Sequence, residues 1–251
     1  MPRKTDKRVR LIEAAKVLIH QQGFNLTTLA DIAQEADVPL GNVYYYFKTK
    51  EAIGEAVIEK RAGKLANLES ALSPNIPTVH SDISHTRWAT HGGPTDRNAH
   101  PHLDNEGKLA VIHNGIIENY EILRADLIAA GYVFTSETDT EVIAHLIHQQ
   151  YVADGQKDIA QSVKAVLPKL HGAYAIGVIS QDNPTTLVGA RVGSPLVVAL
   201  GDKENFLASD ALALAGRAHS MMYLEEGDVA VLRADGVEVL DQAGKSAQRE
   251  L

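Results

Sequence analysis

The segment Ser73-Pro74-Asn75-Ile76-Pro77 interrupts the chain and separates two parts of different character. Its two prolines disfavour a helix on either side, and its composition is typical of a turn. Before it, apolar residues recur at helical spacing; after it, strand-like apolar runs mix with two helical stretches. The sequence therefore predicts two domains, residues 1–72 and 83–251, with residues 73–82 as a junction or linker.

Charge and composition narrow the possible functions. Residues 1–64 carry 11 Lys/Arg and 8 Asp/Glu, whereas the rest of the chain carries 13 and 24. Because the first part is basic and the rest of the chain is acidic, we expect only the first part to bind nucleic acid. A basic helix face that is merely exposed to solvent would give the same charge pattern. The absence of cysteine excludes disulfides, thiolate metal sites and cysteine nucleophiles. Without a membrane-length apolar run or a signal peptide, a cytoplasmic location and no membrane partner are expected.

The first part is predicted to hold a helix-turn-helix. After a first amphipathic helix, Thr28 followed by Asp31 is typical of a capping box. Ala36-Asp37-Val38 supplies the turn, and Pro39 suits the first position of the next helix. Such a geometry presents side chains to the major groove of DNA.

The next helix is rich in tyrosine. Val43 and Phe47 are four residues apart and are expected to face the core, while Asn42 and three consecutive tyrosines cover the other faces. Tyrosine hydroxyls and the Lys50 ammonium are good phosphate donors. The alternative is that the tyrosines are half-buried packing residues.

The strings Thr27 to Ala33, Ala36 to Val38 and Gly41 to Phe47 resemble the DNA-binding domain of TetR-family repressors. The resemblance covers roughly residues 5–60 and implies DNA as a partner, with the third helix reading bases. Family members continue into a helical ligand-binding and dimerisation domain, which is not recognisable after Leu72, so a homodimer stays open. The DNA-contacting residues that we expect are Thr28, Asn42, Tyr44, Tyr45, Tyr46 and Lys50.

The second part concentrates its chemistry between residues 83 and 145. A dense run of polar and aromatic residues spans His85 to Gly92, and an apolar strand at 109–112 is followed by His113-Asn114-Gly115. Asn-Gly at a strand end predicts a turn that aims amides into a cleft, the composition of an oxyanion hole, although an ordinary turn has the same sequence. Six histidines between His80 and His113 suggest zinc, but their spacing fits no common zinc motif. We predict neither a metal nor a cofactor.

The second part closely resembles the class II glutaminase domain of glutamine–fructose-6-phosphate aminotransferases over roughly residues 83–240. The two resemblances together imply an α+β chain, with an all-α helix-turn-helix bundle followed by an incomplete α/β/β/α sandwich of the N-terminal-nucleophile hydrolase type. The matching strings, in order, are His85 to Gly92, Asn98 to His102, His113 to Tyr120, Ser136 to Leu146, Gly172 to Ala175, Arg191 to Leu196, Asn205 to Asp210 and Leu224 to Asp228.

The same resemblance assigns roles to single residues. Arg87 would grip the α-carboxylate of glutamine or glutamate, a charge-assisted contact, and Asp139 would accept from the α-amino group. The other implied positions are Trp88 at the gate of an ammonia path, Thr90 and His91 in the pocket wall, and Asn114 with the Gly115 N–H as the oxyanion hole.

The family's nucleophile is an amino-terminal cysteine, followed by strands that precede the His-Thr-Arg-Trp string. Here the helix-turn-helix occupies that place, and methionine and proline begin the sequence. The apolar runs Val111-Ile112, Leu187-Val188 and Leu196-Val197-Val198 are expected to lose strand partners. The prediction is a DNA-binding, regulator-like head joined to a non-catalytic glutaminase-like domain, at most a glutamine-binding remnant. The alternative is an aminotransferase fragment in a fusion or a misassembled reading frame.

Overall fold

The computed structural model divides the chain into a first unit, Met1–Val79, and a second unit, His80–Leu251. Residues 48–80, which include residues 73–80 of the predicted junction, lie outside the part of the chain that the structure describes. The described residues are 7, 10–12, 14–15, 17–18, 27–47, 81–87, 89–155, 158–214 and 216–250.

The first unit contains helix α1 (Leu29–Glu35) and helix α2 (Leu40–Tyr46), and the described residues between 7 and 18 are helical. The predicted capping box is confirmed, because Asp31 N donates to Thr28 Oγ1 at 3.2 Å and Thr28 N donates to Asp31 Oδ2 at 2.8 Å. Pro39 is the residue before α2, so this helix begins one position later than predicted.

The turn between α1 and α2 depends on a left-handed residue, Asp37, and on hydrogen bonds from Arg10. Asp37 has a φ of +49°, a left-handed conformation that aspartate tolerates better than most residues. Arg10 donates to the carbonyls of Ala36 and Asp37, which satisfies the exposed end of α1. Val43 and Phe47 are buried in the small core, as their spacing predicts.

The second unit is a mixed α/β structure. Its described residues contain three α-helices, whereas the sequence predicts two helical stretches after the junction. None of the helices within the described ranges combines the length and the apolarity needed to cross a bilayer. The elements are β1 (His102–Leu103), β2 (Leu109–Ile117), α3 (Tyr120–Ala129), α4 (Thr140–Ala153), α5 (Ile159–Val166), β3 (Gly172–Ser180), β4 (Asn183–Val192), β5 (Val197–Leu200), β6 (Asn205–Ala208), β7 (Ser220–Tyr223), β8 (Val229–Arg233) and β9 (Gly236–Leu240).

These strands form two antiparallel sheets. The larger has the order β1-β2-β3-β4-β8-β9 and the smaller the order β6-β5-β7. One hydrophobic core packs α4 and α5 against the larger sheet, and a second core joins the two sheets through residues such as Leu196, Val198 and Leu232. The described residues thus form three layers, helices, sheet and sheet, which agrees with the predicted incomplete sandwich.

The expected loss of strand partners is wrong for the three apolar runs. Strand β2 lies between β1 and β3, β4 lies between β3 and β8, and β5 lies between β6 and β7. Val111, Val188, Val197 and Val198 are fully buried. The strands downstream of residue 100 supply one another's neighbours, so the apolar runs need no partner from upstream.

The predicted turn at Asn114-Gly115 is also wrong. Strand β2 continues through both residues to Ile117, and it pairs with β3 over its whole length, Asn114 opposite Ala175 and Gly115 opposite Tyr174. Gly115 has a φ of +129°, so the glycine serves a distortion within the strand rather than a chain reversal.

Candidate ligand site

The predicted ligand residues lie where β2 passes the amino-terminal end of α4 and the segment 85–93. Arg87, His91 and Asn114 are partly buried there, and Asp139 is almost fully buried. The sequence places these residues up to 52 positions apart, and the antiparallel sheet with its crossing helix brings them to one region.

Arg87 is engaged by its own loop. Its guanidinium donates to the carbonyls of Gly93 at 3.2 Å and Gly92 at 3.3 Å, and also to the carbonyl of His91. Burial lowers the pKa of Arg87, while the charge of Asp139 acts in the opposite direction. The guanidinium therefore shapes the loop at 91–93 and feels the field of Asp139, the other charged group of the site.

Asp139 is the residue immediately before α4, where a carboxylate is stabilised by the helix dipole. Its Oδ2 accepts a hydrogen bond from Ile117 N at 2.8 Å, and its Oδ1 lies 3.6 Å from His91 Nδ1. His113 Nδ1 lies 3.9 Å from Oδ2. One carboxylate thus joins the end of β2 to the start of α4, and its Oδ1 faces His91.

Asn114, one of the predicted oxyanion residues, lies beside the partly buried His85 and follows the buried His113. Asn114 Oδ1 lies 2.8 Å from His85 Nε2, so the side-chain amide is oriented by that ring. His113 N donates to His100 Nδ1 at 3.3 Å. A side-chain amide and a glycine in one distorted strand, held by rings from another segment, is an arrangement able to present donors to a carbonyl oxygen.

The rings of His85, His100 and His102 pack against one another. The ring centroids of His85 and His100 are 4.0 Å apart, and those of His100 and His102 are 5.1 Å apart. Burial lowers the pKa of His100, helped by repulsion from neighbouring basic groups, and burial lowers the pKa of His113 to about 4 although Asp139 opposes this. Over residues 81–250, as far as these are described, no three His, Asp or Glu side chains are arranged to hold a metal ion.

Other predicted residues fall in different places. Thr90 is exposed on the loop beside His91. In the first unit, Tyr44 is 48% exposed on α2, Asn42 is partly buried, and Tyr46 is partly buried against the small core, as the packing alternative predicts. Thr28 is exposed and caps α1. Trp88, Lys50 and the side chain of Tyr45 lie outside the described residues.

Two residues with a clear structural part in the site received no role from the sequence. Asn98 is fully buried and hydrogen bonds to Glu137, 39 positions away. The only sequence signal was that both residues lie in strings matching the amidotransferases.

Comparison with known proteins decides the family. Residues 85–216 match the model of the glutamine amidotransferase domain, more than half of the chain. The chain belongs to the glutamine amidotransferase domain family. Residues 11–57 of this amidotransferase-family chain match a second model, that of bacterial regulatory proteins of the tetR family.

Curated relatives match the amidotransferase part at high identity. The glutamine–fructose-6-phosphate aminotransferase (isomerizing) of Pseudomonas putida is 52% identical over 197 residues, covering 78% of this chain and 32% of that protein. The protein of the same name from Bordetella pertussis is 55% identical over 191 residues, covering 74% and 31%. The chain therefore spans about a third of the length of these relatives.

Solved structures give the same fold. The glutamine phosphoribosylpyrophosphate amidotransferase of B. subtilis, complexed with ADP and GMP, is 26% identical with a TM-score of 0.53, covering 64% of this chain and 35% of that one. An allosteric regulatory enzyme of purine biosynthesis is 27% identical with a TM-score of 0.53, covering 63% and 34%.

Proposed function

We propose that this chain is a DNA-binding, regulator-like head joined to a glutaminase-like domain that binds glutamine or glutamate without hydrolysing glutamine. One observation carries the proposal: a single chain of 251 residues matches both families and contains no cysteine. The thiolate route to an acyl-enzyme needs a sulfur nucleophile, which no residue of this sequence supplies.

Support for DNA binding comes from the first unit. The capping box begins α1, and the left-handed turn at Asp37 leads into α2. The short α2 carries the exposed Tyr44 and has the size of a helix that can enter a groove. The net positive charge of residues 1–64 favours the phosphate backbone.

The whole chain is expected to bind random-sequence duplex DNA with an affinity that falls steeply as salt rises, because phosphate neutralisation releases counterions. Fluorescence anisotropy with a labelled duplex measures this. Tyr44→Phe removes a phosphate donor and keeps the ring, so we expect binding about fivefold weaker. Ile122→Ala, an exposed change in the second unit, is the control. Absence of binding at low salt would rule the DNA proposal out.

Support for amino-acid binding comes from Arg87 and Asp139, which carry opposite charges in one region and match the family's strings. We expect glutamine to bind the whole chain and Arg87→Ala to weaken binding by at least about tenfold, since a charge-assisted contact is lost. Isothermal titration calorimetry measures both affinities. Arg217→Ala, at an exposed position, should leave the affinity unchanged.

A second candidate is a residual or split glutaminase, favoured by the identity of about half of the residues with aminotransferases. An oxyanion hole alone leaves weak catalysis in hydrolases that have lost their nucleophile. The two candidates differ in one readout, ammonia release from glutamine.

A further inference from the structure

The buried amide of Asn98 joins the two segments that carry the charged groups of the candidate site. Its Nδ2 donates to Gly93 O and to Glu137 Oε2, each at 3.0 Å, and its Oδ1 accepts from Glu137 N at 3.0 Å. Asn98 has no exposed surface, so its amide is shielded from water on its own side, whereas its partners Gly93 and Glu137 are exposed. The hydrogen bonds of the Asn98 side chain therefore connect the loop at 91–93 to the segment before α4.

Both segments bear directly on the charged pair. The carbonyls of His91, Gly92 and Gly93 hold the guanidinium of Arg87. Glu137 lies two residues before Asp139, whose position is otherwise set by the start of α4. A change in the Asn98–Glu137 contact therefore moves the loop that holds Arg87 relative to Asp139.

The two segments approach as closely as their atoms allow. Gly92 has a φ of +71°, and a Cβ there would lie 2.6 Å from Asn98 Nδ2 and 2.8 Å from Glu137 Cβ. Only glycine permits this distance between loop and segment. The Arg97–Glu137 ion pair, at 2.7 Å, is more than half exposed on both sides and contributes little. The buried amide is the stronger determinant of the spacing.

We propose that Asn98 is a positioning residue that fixes the separation of Arg87 and Asp139, and so selects ligands that carry an α-carboxylate and an α-amino group together. This inference rests on the proposed glutamine binding. A free α-amino acid satisfies both charged groups at once, whereas a ligand without the amino group leaves Asp139 unpaired by the ligand. Fixed spacing turns that difference into selectivity, because a site built for a polar group rejects an analogue that lacks it.

The test compares L-glutamine with 4-carbamoylbutanoate, which is glutamine without its α-amino group. Isothermal titration of the whole chain is expected to show a preference for glutamine of about tenfold. Asn98→Asp keeps the size of the side chain, removes both donors and sets a carboxylate against Glu137. We expect it to reduce the preference to below about twofold, while thermal unfolding confirms that the variant is folded at the assay temperature.

The ratio separates positioning from general damage. A purely structural part for Asn98 would weaken both ligands equally, and an unchanged preference in Asn98→Asp would overturn the inference. The double variant Asn98→Asp/Glu137→Gln lets an amide at 137 donate to the new carboxylate, and it should restore part of the preference. Arg97→Ala, which removes only the exposed ion pair, should keep the preference of the wild type.

Two outcomes have separate meanings. If the wild-type chain binds neither compound, the proposed glutamine binding fails and this inference fails with it. If the wild type binds both with a clear preference that Asn98→Asp leaves intact, only the part assigned to Asn98 is wrong. If Asn98→Asp does not fold, Glu137→Ala, at a half-exposed position, gives the same decision by the same ratio.

Discussion

Replacing Gly115 with alanine is expected to lower the free energy of unfolding of the second unit by about 4 kcal/mol or more. A Cβ at this position would lie 2.0 Å from the carbonyl oxygen of Ala173 on the paired strand β3, and the φ of +129° is strained for any side chain. Relief requires β2 and β3 to separate near the end of their ladder, where Gly115 pairs with Tyr174, and both strands pack in the main core. Chemical denaturation of the whole chain, followed by circular dichroism, measures the loss.

Gly131→Ala is the matched control. Gly131 also has a positive φ, +95°, but a Cβ there meets no atom within 4 Å. Its expected cost is only about 1–2 kcal/mol, the strain of a left-handed conformation. Equal losses for the two variants would show that the contact with Ala173 is not the cause.

Acid is expected to destabilise the second unit between about pH 6.5 and pH 4. The pKa of His113 is lowered by burial from its ordinary value of 6.5 to about 4, so the unfolded chain binds the proton more tightly. The contribution of His113 to the free energy of unfolding is complete above pH 6.5 and is lost as the pH falls towards 4. Below pH 4 this group causes no further change. A shift of this size corresponds to about 3 kcal/mol. His85 and His100, whose pKa values are also lowered by burial, act in the same direction.

Denaturant titrations at a series of pH values measure this dependence. The titratable groups that face His113 are His85 and His91 from the adjoining segment, His100 before β1 and Asp139 at the start of α4. His113→Gln should flatten the pH dependence, and His171→Gln, at an exposed position, should not. A stability that stays constant from pH 7 to 4 would contradict the assignment.

Local sequence rules predicted the first unit well. The capping box of Thr28 and Asp31 and the burial of Val43 and Phe47 depend on side chains within a few positions of one another. The short α1 and α2 leave little room for long-range contacts to change the outcome.

Long-range pairing explains the failures. Asn114-Gly115 has the local chemistry of a turn, but nine residues of pairing with β3 hold both residues in a strand. The interior positions of β2 and β4 in the larger sheet likewise depend on β3 and β8, strands that lie far along the chain from β2 and β4 respectively. The contact of Asn98 with Glu137 spans 39 positions and could be seen only in the folded unit.

Measuring ammonia release from L-glutamine by the whole chain tests directly whether the glutaminase-like domain leaves glutamine unhydrolysed. Because the sequence contains no cysteine that could serve as a thiolate nucleophile, we expect the chain to bind glutamine and to release no ammonia above the rate of an Arg87→Ala/Asp139→Asn double variant. Ammonia release by the wild type that the double variant abolishes would show that the chain is a glutaminase and would contradict the proposed function.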